Sequence, residues 1–185
     1  MHKPIQIIKT RAYGIGMTLS KDDKNSVYGA LRNIQLANLF LPKWKVYIYI
    51  PTNIPNTRAL VIEDRIKQKM IKLGATIVYI DLKKVMIPVT LINTLIADNK
   101  HITHFLIRDV RHRLSDCDAR VAQNFLASDK SIHYFKYQEG KPQIKIKVLP
   151  GIWEGNRKKL TLHLQGKTMQ QYIQVVVLDI HFISL

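Results

Sequence analysis

Hydrophobic residues follow two different spacings along this chain, and the two spacings alternate. Short runs rich in β-branched and aromatic residues at 44–50, 75–80 and 102–107 predict buried strands. Between these runs, apolar side chains recur at helical spacing over residues 27–39 and 60–73, which predicts amphipathic helices. The alternation of strand and helix is typical of a parallel sheet joined by crossover helices.

Further segments extend this order. Residues 5–8 predict the first strand, and residues 88–97, which begin with a proline, predict another helix. Ser115 precedes Asp116 and Asp118, and a serine followed by acidic residues is typical of a helix start. We therefore expect a helix soon after the last of the buried strands.

The pattern changes in the last third of the chain. Residues 131–137 and 143–149 predict two strands joined at Glu139 and Gly140, which suggests antiparallel strands added to the parallel sheet. The basic residues 156–168 fit either a strand or an amphipathic helix. The fold class expected from the whole pattern is α/β, with a mostly parallel mixed sheet.

The composition narrows the class of protein without naming a ligand. Hydrophobic residues make up 46% of the chain, which excludes a disordered tail. The 29 Lys and Arg against 13 Asp and Glu favour binding of a polyanion, which could be a nucleic acid, an anionic lipid or a nucleotide diphosphate. The single cysteine, Cys117, excludes an internal disulfide and a cysteine-based zinc site. With no signal peptide and no apolar run long enough to span a bilayer, we expect a cytoplasmic protein.

Candidate chemistry concentrates where the strand at 102–107 ends. The next six residues, 108–113, contain five ionisable side chains. Open α/β sheets bind their ligands at the carboxyl ends of the strands, just before a helix begins. The pattern therefore predicts a ligand site at this charged cluster.

Four stretches of the sequence carry a resemblance to a known family. They are YGALRNIQLANLFLPKWKVYIYI, LGATIVYID, FLIRDVRHRLSDCDARVAQNFLASDKSIHYF and GIW. In order and spacing, over roughly residues 26–153, they resemble an uncharacterised group of glycosyltransferase-like proteins with the GT-A fold. The resemblance implies a Rossmann-like sheet with helices on both faces. It also implies one domain over residues 1–185, with a nucleotide-binding half at 1–128 and part of an acceptor-side half at 129–185.

The family binds a nucleotide sugar, and its Asp-x-Asp segment holds a divalent metal, Mn²⁺ or Mg²⁺, on the diphosphate. Arg108 and Asp109 match that segment, which implies that Asp109 is a metal ligand, but Arg111 stands in place of the second acid. A positively charged side chain at this position disfavours the binding of a divalent metal. One alternative is that Arg111 and Arg113 bind the diphosphate directly. Another is that Asp109 forms a structural ion pair with Arg108 or Arg111.

The resemblance implies further site residues. His133 and Asp179 match positions for which it implies catalytic roles, and Gly151 and Trp153 match the Gly-x-Trp element near the donor. Trp153 is expected either to stack on a sugar or base or to anchor the core. Tyr13, in the loop expected after the first strand, is a candidate for stacking on the nucleobase. For Asn33, which also matches, helix packing is an equally good explanation.

Several positions depart from the family pattern. Lys136 and Tyr137 replace an Arg-Asp pair, Pro150 and Glu154 replace glycines, and a further family segment does not follow Leu185. We therefore expect a degenerate, C-terminally truncated member that binds a nucleotide-sugar donor and an unknown acceptor, with hexosyl transfer if it is active. The alternative class is a basic nucleic-acid-binding or interaction protein without catalysis.

Overall fold

The computed structural model describes residues 12–21, 23–55, 60–85, 87–138 and 146–161. Strands and helices alternate through most of this part of the chain, as the hydrophobic spacing predicts. The elements are β1 Tyr13–Thr18, α1 Lys24–Phe40, β2 Trp44–Thr52, α2 Asp64–Lys72, β3 Thr76–Asp81, β4 His104–Asp109, α3 Asp116–Ala127, β5 Ile132–Gln138, β6 Ile146–Asn156 and α4 Arg157–Thr161. A 3-10 helical segment, Val89–Asp98, connects β3 to β4.

All six strands form one sheet in the order β3-β2-β1-β4-β6-β5. The first four strands are parallel, and β6 pairs antiparallel with both β4 and β5. The chain winds outward from β1 through β2 to β3 and then crosses back to place β4 on the other side of β1. This confirms the expected α/β fold class, which is Rossmann-like with antiparallel strands added at one side.

Each face of the sheet has its own hydrophobic core, because neighbouring side chains on a strand point to opposite faces. The core beneath α1, α2 and α3 includes Ile15, Met17, Val46, Ile48, Leu106 and, from α1, Ile34. The core beneath the 3-10 segment and α4 includes Tyr49, Phe105, Ile107, Ile92, Ile96 and Leu160. Burial on both faces explains why the central strands are almost continuously apolar.

The segment that follows β3 differs from the expectation for residues 88–97. It is a 3-10 helix that starts after Pro88, rather than an α-helix. Many of its residues are β-branched, which lowers α-helical propensity. It packs closely against β1, where a Cβ on Gly16 would lie 2.5 Å from the Asn93 carbonyl oxygen and 2.9 Å from the Ile96 Cβ. The absence of a side chain at Gly16 therefore lets the 3-10 segment pack closely against β1.

Three boundaries also shift. The helix predicted at 60–73 begins only at Asp64, because Leu60 and Ile62 are packed into the core without being helical. Tyr13 was expected in a loop but is the first residue of β1. The strand predicted at 102–107 ends two residues later at Asp109, so Arg108 and Asp109 belong to the strand itself.

The helix ends are formed by residues suited to them. Ser115 and Asp118 make a capping box at the start of α3, which confirms the helix start predicted at this serine. At α1 the cap is Asp23, whose carboxylate accepts from the Ser26 backbone N–H at 3.0 Å. Gly74, with φ of +90°, follows α2, as expected for the residue that ends a helix.

Some expected features lie outside the described residues, namely the strand at 5–8, the turn at Glu139 and Gly140, and Asp179. Within the described part of the chain, no helix combines the length and apolar character that crossing a bilayer requires.

The packing of β1 generates a prediction. Gly16→Ala is expected to lower the free energy of unfolding by on the order of 1–3 kcal/mol, because the added methyl meets backbone that cannot move alone. Gly14→Ala is the matched control in the same strand, since the atoms nearest its Cβ are the flexible Ile102 and Ile96 side-chain ends at 3.0 Å. Urea denaturation measures both, and an equal loss for the two variants would contradict this packing.

Candidate functional site

A cavity of about 460 Å³ opens at the carboxyl ends of β1 and β4. From β1 the chain crosses over to β2 on one side, and from β4 it continues to β5 on the other side. The direction of the strand order therefore reverses between β1 and β4. Such a switch point is where open α/β sheets leave a crevice for ligands. The lining includes Thr18, Ser20, Lys21, Ser26, Thr90, Asn93 and residues 108–112.

The loop after β4, which forms one wall of the cavity, is held by a buried side chain of α1. The fully buried Asn33 donates Nδ2 hydrogen bonds to the Val110 and His112 carbonyl oxygens at 3.0 and 2.9 Å. Its Oδ1 accepts from the Leu114 N–H at 3.0 Å. Gly29, one turn earlier, allows the same close approach, because a Cβ there would lie 2.5 Å from the Val110 oxygen. The loop position is therefore set by α1.

Asp109 and Arg111 form an ion pair at the mouth of the cavity. Arg111 Nη2 lies 2.9 Å from Asp109 Oδ2, and its Nε and backbone N–H donate to Oδ1 at 3.2 and 2.8 Å. Burial raises the pKa of Asp109, but the hydrogen bonds from Arg111 outweigh it and hold that pKa below its ordinary value. The sequence allowed Asp109 to pair with Arg108 or with Arg111, and in the structure it pairs with Arg111.

Arg108, expected to contact a nucleotide sugar, has its guanidinium buried inside the protein. Only 2% of its side chain is exposed, and Nη2 lies 3.5 Å from both Asp118 Oδ1 and Glu154 Oε1. Burial lowers the pKa of Arg108 while the two carboxylates oppose that shift, and an arginine keeps its proton in this setting. The side chain thereby connects β4 to α3 and to β6.

His133 belongs to this buried network. Its Nδ1 lies 3.1 Å from Oε2 of the fully buried Glu154. Burial raises the pKa of Glu154, and the nearby Arg108 and His133 oppose the rise. His133 lines a second cavity of about 410 Å³, between α3 and β5, where its ring stacks on Phe125. His133 does not line the switch-point cavity. It is connected to that cavity through Glu154 and Arg108.

The other expected site residues are distributed through the sheet. Arg113 donates to the Val110 and Arg111 carbonyl oxygens at 3.0 and 3.3 Å, so it supports the loop. Tyr13 lies at the amino end of β1, with its ring 5.0 Å from that of Trp44, and does not line the cavity at the opposite end. Gly151 lies in β6, as does Trp153, whose backbone is opposite Ile107. Asp179 lies outside the described residues.

The donor set does not fit the divalent metal that the resemblance implies. Both carboxylate oxygens of Asp109 already accept hydrogen bonds from Arg111. Among the residues that the structure describes, no three His, Cys, Asp or Glu side chains come together as a metal would require. A guanidinium held against the one available carboxylate repels a cation, and hard divalent metals need several oxygen ligands.

Thr18 was missed by the sequence analysis. It ends β1 opposite Asp109 in the sheet register and lines the cavity. Its Oγ1 is buried and has no hydrogen-bond partner in the described structure, which is costly for a hydroxyl group. The available signal was its position at the end of an apolar run, followed by Ser20 and Lys21 before the capped start of α1.

The strand order and the cavity at its switch point define a Rossmann-like α/β protein. No family model matches the sequence, and no curated protein matches it either. Among solved structures, the chain is similar to 4-diphosphocytidyl-2C-methyl-D-erythritol synthase from Anaerococcus prevotii DSM 20548. The TM-score is 0.49 at 8% identity, over 89% of this chain and 76% of that one.

The hydrogen bonds of Asn33 yield a stability prediction. Asn33→Ala is expected to lower the free energy of unfolding by on the order of 2–4 kcal/mol, since buried backbone groups lose their partners. Asn38→Ala is the control on the same helix, because this exposed residue makes one hydrogen bond, to the Leu73 carbonyl, and should cost below about 1 kcal/mol. Hydrogen exchange should also quicken at the Leu114 amide in the first variant only. Unchanged exchange at the Leu114 amide would contradict the role of Asn33 in holding the loop.

The ion pair at the cavity mouth yields a pH prediction. Because the pKa of Asp109 is lowered in the folded state, its stabilising contribution exists above the unfolded-state pKa of about 3.9 and disappears as the pH falls through the folded-state pKa. Arg111→Gln should raise the pKa of Asp109, measured by carboxyl NMR titration. It should also lower stability at pH 6 but not at about pH 2. Arg113→Gln is the control, and an Asp109 pKa that is equal in all three proteins would contradict the pairing.

Proposed function

We propose that the switch-point cavity binds the diphosphate of a nucleotide sugar. The observation that carries the proposal is the convergence of three groups on one cavity: the buried hydroxyl of Thr18 and the cationic side chains of Lys21 and Arg111. A phosphate oxygen would accept a hydrogen bond from the hydroxyl and compensate the two positive charges. The location at the switch point of a parallel sheet supports the same conclusion.

The start of α1 is already occupied by an internal anion. The Asp23 carboxylate accepts from the Ser26 N–H at 3.0 Å and from the Ser26 Oγ at 2.8 Å. In many nucleotide-binding sheets, phosphate takes the corresponding position at a helix N-terminus. In this protein the side chains of Lys21 and Arg111 would therefore contribute most of the phosphate binding.

Arg111 is suited to this role because its side chain is exposed and its guanidinium is held in one orientation. Its side chain is 64% exposed, and Asp109 engages Nε and Nη2, which fixes the plane of the guanidinium. A planar guanidinium can donate to a second anion while it keeps the first. The diphosphate charge is then compensated by protein cations in place of a metal. When a glycosyl group is transferred, the same cations would stabilise the departing diphosphate.

Two substitutions test the binding. Thr18→Val keeps the shape of the side chain and removes only the hydroxyl group, so unfolding of the free protein should be unchanged or slightly harder, while affinity falls roughly fivefold. Lys21→Gln should weaken binding by roughly tenfold, with a steeper loss at low salt. Lys83→Gln, which removes an exposed charge outside the cavity lining, is the matched control.

The measurement is titration calorimetry with uridine, guanosine, cytidine and adenosine diphosphates and their sugar derivatives, in EDTA and again with Mn²⁺. Binding in EDTA that both variants weaken supports the proposal. Binding that requires Mn²⁺ would reject compensation by Lys21 and Arg111, and no binding of any nucleotide at millimolar concentration would reject the proposal altogether. Release of nucleoside diphosphate from a bound donor, with acceptor sugars present, tests transfer separately.

A further inference from the structure

Among the residues that the structure describes, exposed lysines cluster at one edge of the sheet. The strands β1 to β4 begin at this edge, and the helices α1, α2 and α3 end there; we call it the amino edge. Six exposed lysines lie in its loops, strand starts and helix ends: Lys43, Lys45, Lys72, Lys100, Lys130 and Lys158. Among the described residues, the acids near this edge are Asp98 and Asp129, and Asp129 is beside Lys130 at 3.6 Å.

The opposite edge, which holds the switch-point cavity, has exposed lysines too, namely Lys21, Lys83 and Lys84, but it also holds many acidic residues. Asp109 is paired with Arg111, and Asp116 is paired with Arg120 at 2.7 Å. The pKa of Asp81, at the end of β3, is lowered by hydrogen bonds and by nearby lysines. Most of the acidic residues that the structure describes lie on this side, so the net positive charge of the described residues is directed to the amino edge.

Exposed aliphatic side chains accompany the lysines at the amino edge. Leu39, in the last turn of α1, is 68% exposed, and Ile71, in the last turn of α2, is 49% exposed. The two helix ends are adjacent, because Asn38 donates to the Leu73 carbonyl oxygen at 2.9 Å. Lysine together with exposed aliphatic residues is the combination that binds an anionic lipid surface through charge and shallow apolar burial.

The same edge is less suited to a nucleic acid. The exposed cations here are lysines and Arg157 is half-buried, whereas arginine is the residue that binds phosphate and bases through paired hydrogen bonds. Of the aromatic rings at this edge, Trp44 and His104 are buried and Tyr13 packs against Trp44, so His101 is the exposed ring among the described residues and a row of bases has little surface to stack on. We propose that the amino edge docks on an anionic lipid surface. In that orientation the switch-point cavity faces away from the lipid and remains open to solvent.

Vesicle co-sedimentation tests this proposal with the intact chain. The protein should bind phosphatidylcholine vesicles that contain 30 mol% phosphatidylglycerol, and should not bind vesicles of phosphatidylcholine alone. Binding should fall by at least tenfold between about 50 and 500 mM NaCl, because the Debye length shortens from roughly 14 to 4 Å. Equal binding to both kinds of vesicle, or none to the anionic vesicles at 50 mM NaCl, would overturn the proposal.

Matched variants locate the surface. Lys43→Glu combined with Lys72→Glu should weaken vesicle binding by roughly tenfold or more. Lys83→Glu combined with Lys84→Glu makes the same change of charge at two exposed residues of the opposite edge and should leave most of the binding. Leu39→Ser combined with Ile71→Ser should weaken binding while preserving its salt dependence. An equal loss in the two charge-reversed proteins would overturn the assignment to the amino edge.

A further experiment tests whether the amino edge binds a nucleic acid instead of a lipid surface. A duplex and a single-stranded oligonucleotide are titrated under the same salt conditions and added as competitors to the vesicles. The proposal expects weak binding of both that is lost at moderate salt, with no displacement of the protein from the vesicles. Tighter binding of either oligonucleotide, which the Lys43 and Lys72 reversals abolish, would overturn the lipid surface in favour of nucleic acid.

Discussion

The candidate site depends on how a loop is held at the end of β4. Asn33 lies on the buried face of α1 and contacts three backbone groups between Val110 and Leu114. An amide side chain is suited to this position because it offers both hydrogen-bond donors and an acceptor. It therefore provides hydrogen-bond partners for loop backbone groups that are shielded from water. The helix that follows β1 therefore positions the wall contributed by β4.

A second constraint is the buried charge of Arg108. Its guanidinium lies among Asp118, Glu154 and the Ile107 carbonyl oxygen, and Glu154 also contacts His133. Removing Arg108 would leave the fully buried Glu154 carboxylate without its cation, which costs more than the intact pair contributes. This arrangement explains why neighbouring residues of one charged cluster have different roles. Because residues alternate along a strand, the Arg108 guanidinium is directed toward α3 and Asp109 toward the other face of the sheet.

The sequence predicted most of the fold because its elements are strongly periodic. The strands at 44–50 and 75–80 and the helix start at Ser115 follow from local patterns, and the structure has all three. The 3-10 segment could not be foreseen, since its form depends on a close approach to Gly16 in a strand distant in sequence. Tyr13 follows the strand expected at residues 5–8, and this order predicts a loop where the structure has the first residue of β1.

The site was predicted less completely than the fold. A charged cluster at a strand end could be read directly, but the direction of each side chain depends on the register and on partners such as Glu154 and Asn33. Both partners lie far from the cluster in sequence. Two signals were available for Asn33: it is a polar residue on the apolar face of α1, and it matches the family pattern. The unsatisfied hydroxyl of Thr18 is visible only in three dimensions.

The central claim is that a nucleoside diphosphate binds between the ends of β1 and β4, with its charge compensated by Lys21 and Arg111. Amide chemical-shift mapping during a nucleotide titration in EDTA tests this claim most directly. The account predicts that shifts concentrate in residues 18–21 and 109–112 and saturate together. Shifts that centre instead on Phe125 and His133, or a spectrum that the nucleotide leaves unchanged, would contradict it.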